Sequence, residues 1–96
     1  MIRSFGATGA EDLFNGAHTK EVRKLPQTIW RVARRKLEHV DSAESLGDLA
    51  AVPGNRLERL HGTLSAYHSI RINDQFRVVF RWKGGNAFEV RIEDYH

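Results

Sequence analysis

The spacing of apolar residues changes period once along this chain, and the change falls at Pro53-Gly54. Before it, Val22, Leu25, Ile29, Val32 or Ala33, Leu37 and Val40 recur every three or four residues, the spacing of a helix with one apolar stripe. After it, apolar and polar residues alternate, as in strands with one face buried. Each pattern needs something to cover its apolar side, and the simplest solution lays one against the other. Helices first and strands after therefore predict an α+β fold, an antiparallel β-sheet with helices packed on one face.

Pro26, whose fixed φ suits a first helical turn, puts the start of the main helix near Leu25, and the apolar stripe ends it near Asp41. The stretch "SAESLGDLAAVPGN" opens on a serine able to cap a short second helix and closes on Pro53-Gly54. Upstream, "IRSF" is a candidate first strand, followed by a loop through Gly6, Gly9 and Gly16 with a helical turn at "AEDLF". Downstream, "RLERL", "AYHSIRI", "QFRVVFRW" and "AFEVRIEDYH" read as strands, the last three separated by turns at Asn73-Asp74 and Gly84-Gly85. The last strand would bury Phe88, Val90 and Ile92 under the helices. The opposite face would present Arg71, Arg77, Arg81 and Arg91 beside Glu89 and Glu93.

At 96 residues the chain is expected to form one domain, 1–96, because halves would be too small to bury a useful core. No apolar run is long enough to cross a bilayer, and the N-terminus has no sustained apolar segment of the signal-peptide kind, so a cytoplasmic location is expected. The absence of cysteine excludes disulfides, thiolate catalysis and thiolate zinc sites. The five histidines, at 18, 39, 61, 68 and 96, form no i, i+4 pair and stand near no carboxylate set at metal spacing, so neither metal nor cofactor is expected. The net charge of +3 is unevenly spread. Lys20, Arg23, Lys24, Arg31, Arg34, Arg35 and Lys36 face only Glu21 and Glu38, whereas residues 41–55 carry three acids and no base. The basic helix is either a solvated face or a surface for a polyanion.

Arginine stays charged at any accessible pH and grips phosphate with a planar fork, and no stable core requires a row of them. Arg81 and Arg91 have Glu89 and Glu93 as opposite-charge neighbours, which reads as cross-strand ion pairing. Arg77 opens a central strand next to the Asn73-Asp74 turn and is the stronger candidate for binding an anion. His61 precedes Gly62 at a strand end, and His96 ends the last strand beside Tyr95. An imidazole is the default acid or base near neutrality, and a terminal carboxylate favours its protonated form. The alternation through Ile92 should hold the chain in the sheet as far as Tyr95 or His96.

The run "GNRLERLHGTLSAYHSIRINDQFRVVFRW", followed by "NAFEVRIEDYH", resembles the HigB-type toxins of the RelE/ParE superfamily. The opening "MIRSF" and the helical "RRKLEHVDSAESLGDL" fit the same family, so the resemblance covers nearly the whole chain. It implies a toxin that cuts messenger RNA in the ribosomal A site, a helix-turn-helix antitoxin of the HigA type, and operator DNA reached through that antitoxin. It puts the phosphate-binding arginine on Arg77 and the terminal catalytic group on Asp94, Tyr95 and His96. Family members often carry lysine where this chain has His61, and some carry histidine where it has Glu58. Either of these two would accept the 2′-OH proton, and His96 would protonate the leaving oxygen. Arg31, Arg34, Arg35, Arg59 and Arg71 are the implied RNA contacts. The alternative within the same superfamily is a protein that does not cut RNA, either a gyrase-directed toxin or an antitoxin-binding co-repressor.

Overall fold

The computed structural model describes residues 1–95. Four helices, α1 (Thr8–Phe14), α2 (Lys20–Arg23), α3 (Trp30–Ser42) and α4 (Leu46–Ala50), precede four strands, β1 (Glu58–Arg59), β2 (Tyr67–Arg71), β3 (Phe76–Lys83) and β4 (Asn86–Asp94). The sheet is antiparallel in the order β1-β2-β3-β4, with every neighbour consecutive in sequence. The expected α+β architecture is therefore present.

The main helix starts five residues later than its apolar spacing predicts. Pro26 does not open a helical turn but is extended, with ψ 132°, and the residue before a proline disfavours the helical region. Helix α2 thus ends at Arg23, and a 3-10 turn, Gln27–Ile29, leads into α3. Trp30 Nε1 closes the corner by donating to Leu25 O at 3.0 Å. The short helix after α3 is capped by Ser45, whose Oγ accepts from Asp48 N while the Asp48 carboxylate accepts from Ser45 N. The "AEDLF" turn is the end of the seven-residue helix α1.

Ile70, Val78, Phe80, Ala87 and Val90 from the sheet meet Val22, Ala33, Leu37, Val40 and Leu49 from the helices in the core. Ile70 stands opposite Val78, and Val78 opposite Ile92, so these residues share the covered face. The expectation that Phe88 joins them is incorrect. Val79 pairs with Arg91 but Arg81 pairs with Phe88, so Glu89 and Val90 together oppose Phe80. This bulge, with Glu89 at φ 52°, shifts the alternation by one and turns Phe88 to the open face, leaving Ala87 in the core.

The bulge also shapes the N-terminus. "IRSF" forms no strand, only parallel bridges from Ile2 to Ala87 and from Phe5 to Val90. Gly6 N donates to Val90 O at 2.8 Å as the chain leaves the β4 edge. A Cβ on Gly6 would lie 2.9 Å from Glu89 O, a backbone atom fixed by the bulge. Gly6→Ala should therefore cost about 1 to 3 kcal/mol, lowering Tm by roughly 4–8 °C per kcal/mol in a domain of this size. A melting temperature equal to the parent's would show that the N-terminal segment contributes little to holding β4.

Candidate functional site

The register puts three rows of side chains across the open face of the sheet. Arg71, Arg77 and Glu93 form one row, Glu58, Ser69, Val79 and Arg91 the next, and Tyr67, Arg81 and Phe88 the third. Val79 is fully buried although it points to this face, so its longer neighbours cover it. Most of the charge is neutralised locally. Arg81 Nη1 lies 2.8 Å from Glu89 Oε2, an exposed pair that holds the Glu89 carboxyl below its ordinary range and raises the arginine. Arg91 pairs with Glu93 and lies 4.8 Å from the centre of the Tyr67 ring. Burial opposes its charge, but Glu93 and the Tyr67 hydroxyl outweigh that and raise its pKa. Arg71 pairs with Asp74.

Arg77 differs. It stands directly opposite Arg71, a like-charge juxtaposition that costs stability, and no carboxylate among the described residues pairs with it. Its partners are neutral: Nε donates to Ser69 Oγ at 2.7 Å, and Nη2 donates to Arg56 O at 2.5 Å and Ser69 O at 3.4 Å. Ser69 is fully buried, so the fork is held from beneath, while Nη1 has no hydrogen-bond partner among the described residues. The result is a preorganised cation with no ion pair among the described residues, since Glu93, which stands opposite it, is paired with Arg91. On this open face the Arg77 side chain is half-buried and pinned.

Glu58 lies on the same face, directly opposite Ser69 and two residues after Arg56, exposed and without an ion pair among the described residues. Tyr95 is exposed, with its N–H donating to Gln75 O at 2.5 Å. It lines a shallow hollow of about 490 Å³ with Leu64, Arg91, Glu93 and Asp94. Asp94 accepts from Gln75 Nε2 at 3.1 Å. His96, and every expectation attached to it, lies outside the described residues.

The remaining candidates are dispersed. His61 is exposed just beyond β1, at the entry to the 3-10 turn Gly62–Leu64. Arg59 stands opposite His68, on the covered side of the sheet edge, and donates to Ser65 O. Arg31, Arg34 and Arg35 lie on α3, in the helical layer, where they line a groove of about 540 Å³ with His18 and Trp30. Sequence reasoning missed Ser69 and the Arg56 carbonyl as the holders of Arg77. The polar position of Ser69 was visible in the alternation, but its contact with Arg77 depends on the β2-β3 register. The φ of +45° at Arg56, rare for a side chain of that size, has no sequence signal.

His39 and His68 each bury an Nδ1 that has no partner among the described residues. Burial lowers the pKa of both, with Lys36 and Arg35 adding to the effect at His39 and Arg59 at His68. A histidine whose folded pKa is depressed contributes full stability above its unfolded value of about 6.5 and loses it as pH falls towards the folded value. Melting temperature should therefore drop between pH 7 and pH 5, and drop less in a His39→Gln/His68→Gln variant. Equal drops would locate the acid sensitivity elsewhere.

The sequence matches, over residues 3–96, the family described as the RelE-like toxin of type II toxin-antitoxin system HigB. It is 40% identical over 76 residues to Toxin HigB-1 of Vibrio cholerae serotype O1, covering 79% of this chain and 80% of that protein. It is 31% identical over 99 aligned positions to Endoribonuclease HigB of Proteus vulgaris, covering both chains in full. Among solved structures, the YoeB-YefM complex from Staphylococcus aureus matches with a TM-score of 0.60 at 17% identity, over 100% of this chain and 98% of that one. At that identity the likeness speaks for the fold alone.

Proposed function

This chain belongs to the RelE-like HigB toxin family of type II toxin-antitoxin systems, and from that premise we propose that it is an endoribonuclease that cuts messenger RNA in the ribosomal A site. The observation that carries the reading is Arg77, a guanidinium oriented by neutral partners and without an ion pair among the described residues. RNA brings its own nucleophile. The 2′-OH attacks the adjacent phosphorus, the phosphorane gathers negative charge, and the 5′-oxygen leaves, giving a 2′,3′-cyclic phosphate and a 5′-hydroxyl. Arg77 stabilises the phosphorane with donors already in place, so no reorganisation is needed as the charge develops.

Glu58 takes the 2′-OH proton, because it shares the open face with Arg77, whereas His61 stands beyond the end of β1. His96 returns a proton to the leaving oxygen, with Asp94 as its support. Tyr95 stacks on a base, a contact that tolerates many sequences. Arg31, Arg34 and Arg35, on the helical side, hold ribosomal RNA through salt-sensitive backbone contacts, and Arg59 on the edge strand and Arg71 on the open face add to them. An antitoxin is the partner that a type II system implies. We take it to be a helix-turn-helix protein of the HigA kind that carries the pair to operator DNA. The toxin acts in the cytoplasm as a single domain, 1–96, without metal or cofactor.

The test is cleavage of a defined messenger on programmed ribosomes. The parent should cut the ribosome-bound messenger and leave the naked one intact. Arg77→Ala should lose rate by ~3 kcal/mol, the effect of removing one preorganised donor, while the lost hydrogen bonds cost about 1 kcal/mol of stability. Parental cleavage by Arg77→Ala would overturn the reading, and a chain that never cuts yet still binds its antitoxin would point to a co-repressor.

A further inference from the structure

The amine of Lys36 is buried in α3 without a carboxylate partner among the described residues. It donates to Asn55 Oδ1. Asn55 is fully buried, and its own Nδ2 donates to Leu49 O at 3.0 Å, which fixes the amide at both ends. Asn55 N donates to Val52 O at 3.2 Å, and Asn55 O accepts from Arg71 N at 2.6 Å. The residue immediately after this clamp is Arg56, held at φ +45° with its carbonyl on Arg77 Nη2. A non-glycine residue persists in that conformation only where its surroundings over-determine it.

We infer that Lys36 is a positioning residue: through Asn55 it fixes the Arg56 carbonyl, and through that carbonyl the orientation of Arg77. A buried cation resting on a neutral amide is a poor device for stability, since desolvation of the charge is repaid by one hydrogen bond. Burial, with Arg35 and Arg71 nearby, lowers the pKa of Lys36, which fits a strained placement. Lys36 reaches no face where RNA could touch it, so it acts only through the chain of contacts. The inference rests on the proposed role of Arg77 for its catalytic meaning, but its structural content can be read separately.

The experiment reads both. The Arg77 Nε–H resonance, assigned by its loss in Arg77→Ala, reports how firmly the guanidinium is held, and ribosome-programmed cleavage reports rate. Lys36→Met keeps the stem and removes the donor. It should speed exchange of the Arg77 Nε–H at least tenfold and lower kcat about tenfold with KM unchanged. Arg56→Gly, at an exposed position, spares the core whatever Lys36→Met does to folding, and by freeing the backbone to leave φ +45° it should also speed that exchange. Lys36→Gln, a neutral donor, should restore much of both readouts. Parental exchange of the Arg77 Nε–H in Lys36→Met or in Arg56→Gly overturns the inference. Faster exchange with parental cleavage leaves the positioning chain standing and removes Arg77 from the proposed mechanism.

Discussion

One register decides both faces of this sheet at once. With Ile70 opposite Val78 and Val78 opposite Ile92, the apolar residues of three strands meet the helices. A slip of one residue would send them to solvent and the arginines into the core. The same register brings Ser69 beside Arg77, aligns Glu58 with Ser69, and sets Glu93 against Arg77. Burial on one face thus sets much of what surrounds Arg77 on the other, and the Arg56 carbonyl adds a contact that lies outside the strand register.

The bulge at Glu89 modifies that logic at one end. It keeps Ala87 and Val90 in the core while exchanging Phe88 for Glu89 in the expected alternation. It also aligns Arg81 with Phe88 and leaves Glu89 free to neutralise Arg81. The sheet therefore has one end where arginines pair with glutamates, and another where Arg77 faces Arg71 on one side and, on the other, a Glu93 that is paired with Arg91. Self-repulsion of this kind lowers stability and would be relieved by an anion, which supports the proposed contact of Arg77 with phosphate.

Much of this was legible in the sequence because it follows from period. The change at Pro53-Gly54 separated the helical layer from the sheet, and the polar alternation identified Arg71, Arg77, Arg81 and Arg91 as one face with their glutamates. What stayed hidden was set by single-residue backbone events. Pro26 chose an extended conformation over a helical one, Glu89 opened a bulge, and Arg56 took a positive φ. None of these leaves a periodic trace, since each depends on what the distant chain packs against it. The holders of Arg77 were missed for the same reason: one is a backbone carbonyl, and carbonyls have no letter in a sequence. Arg31, Arg34 and Arg35 were readable as a basic helix, but only the fold shows them to be on the layer opposite Arg77.

The central claim is that Arg77 acts as a fork held from beneath, not merely as a positive charge. Arg77→Lys tests it most directly, because lysine keeps the charge but cannot bond Ser69 and Arg56 while also presenting a free pair of N–H groups. Single-turnover cleavage of ribosome-bound messenger by Arg77→Lys should be slowed nearly as much as by Arg77→Ala, with antitoxin binding unchanged. Parental or near-parental cleavage by Arg77→Lys would contradict the account and reduce the site to a patch of charge.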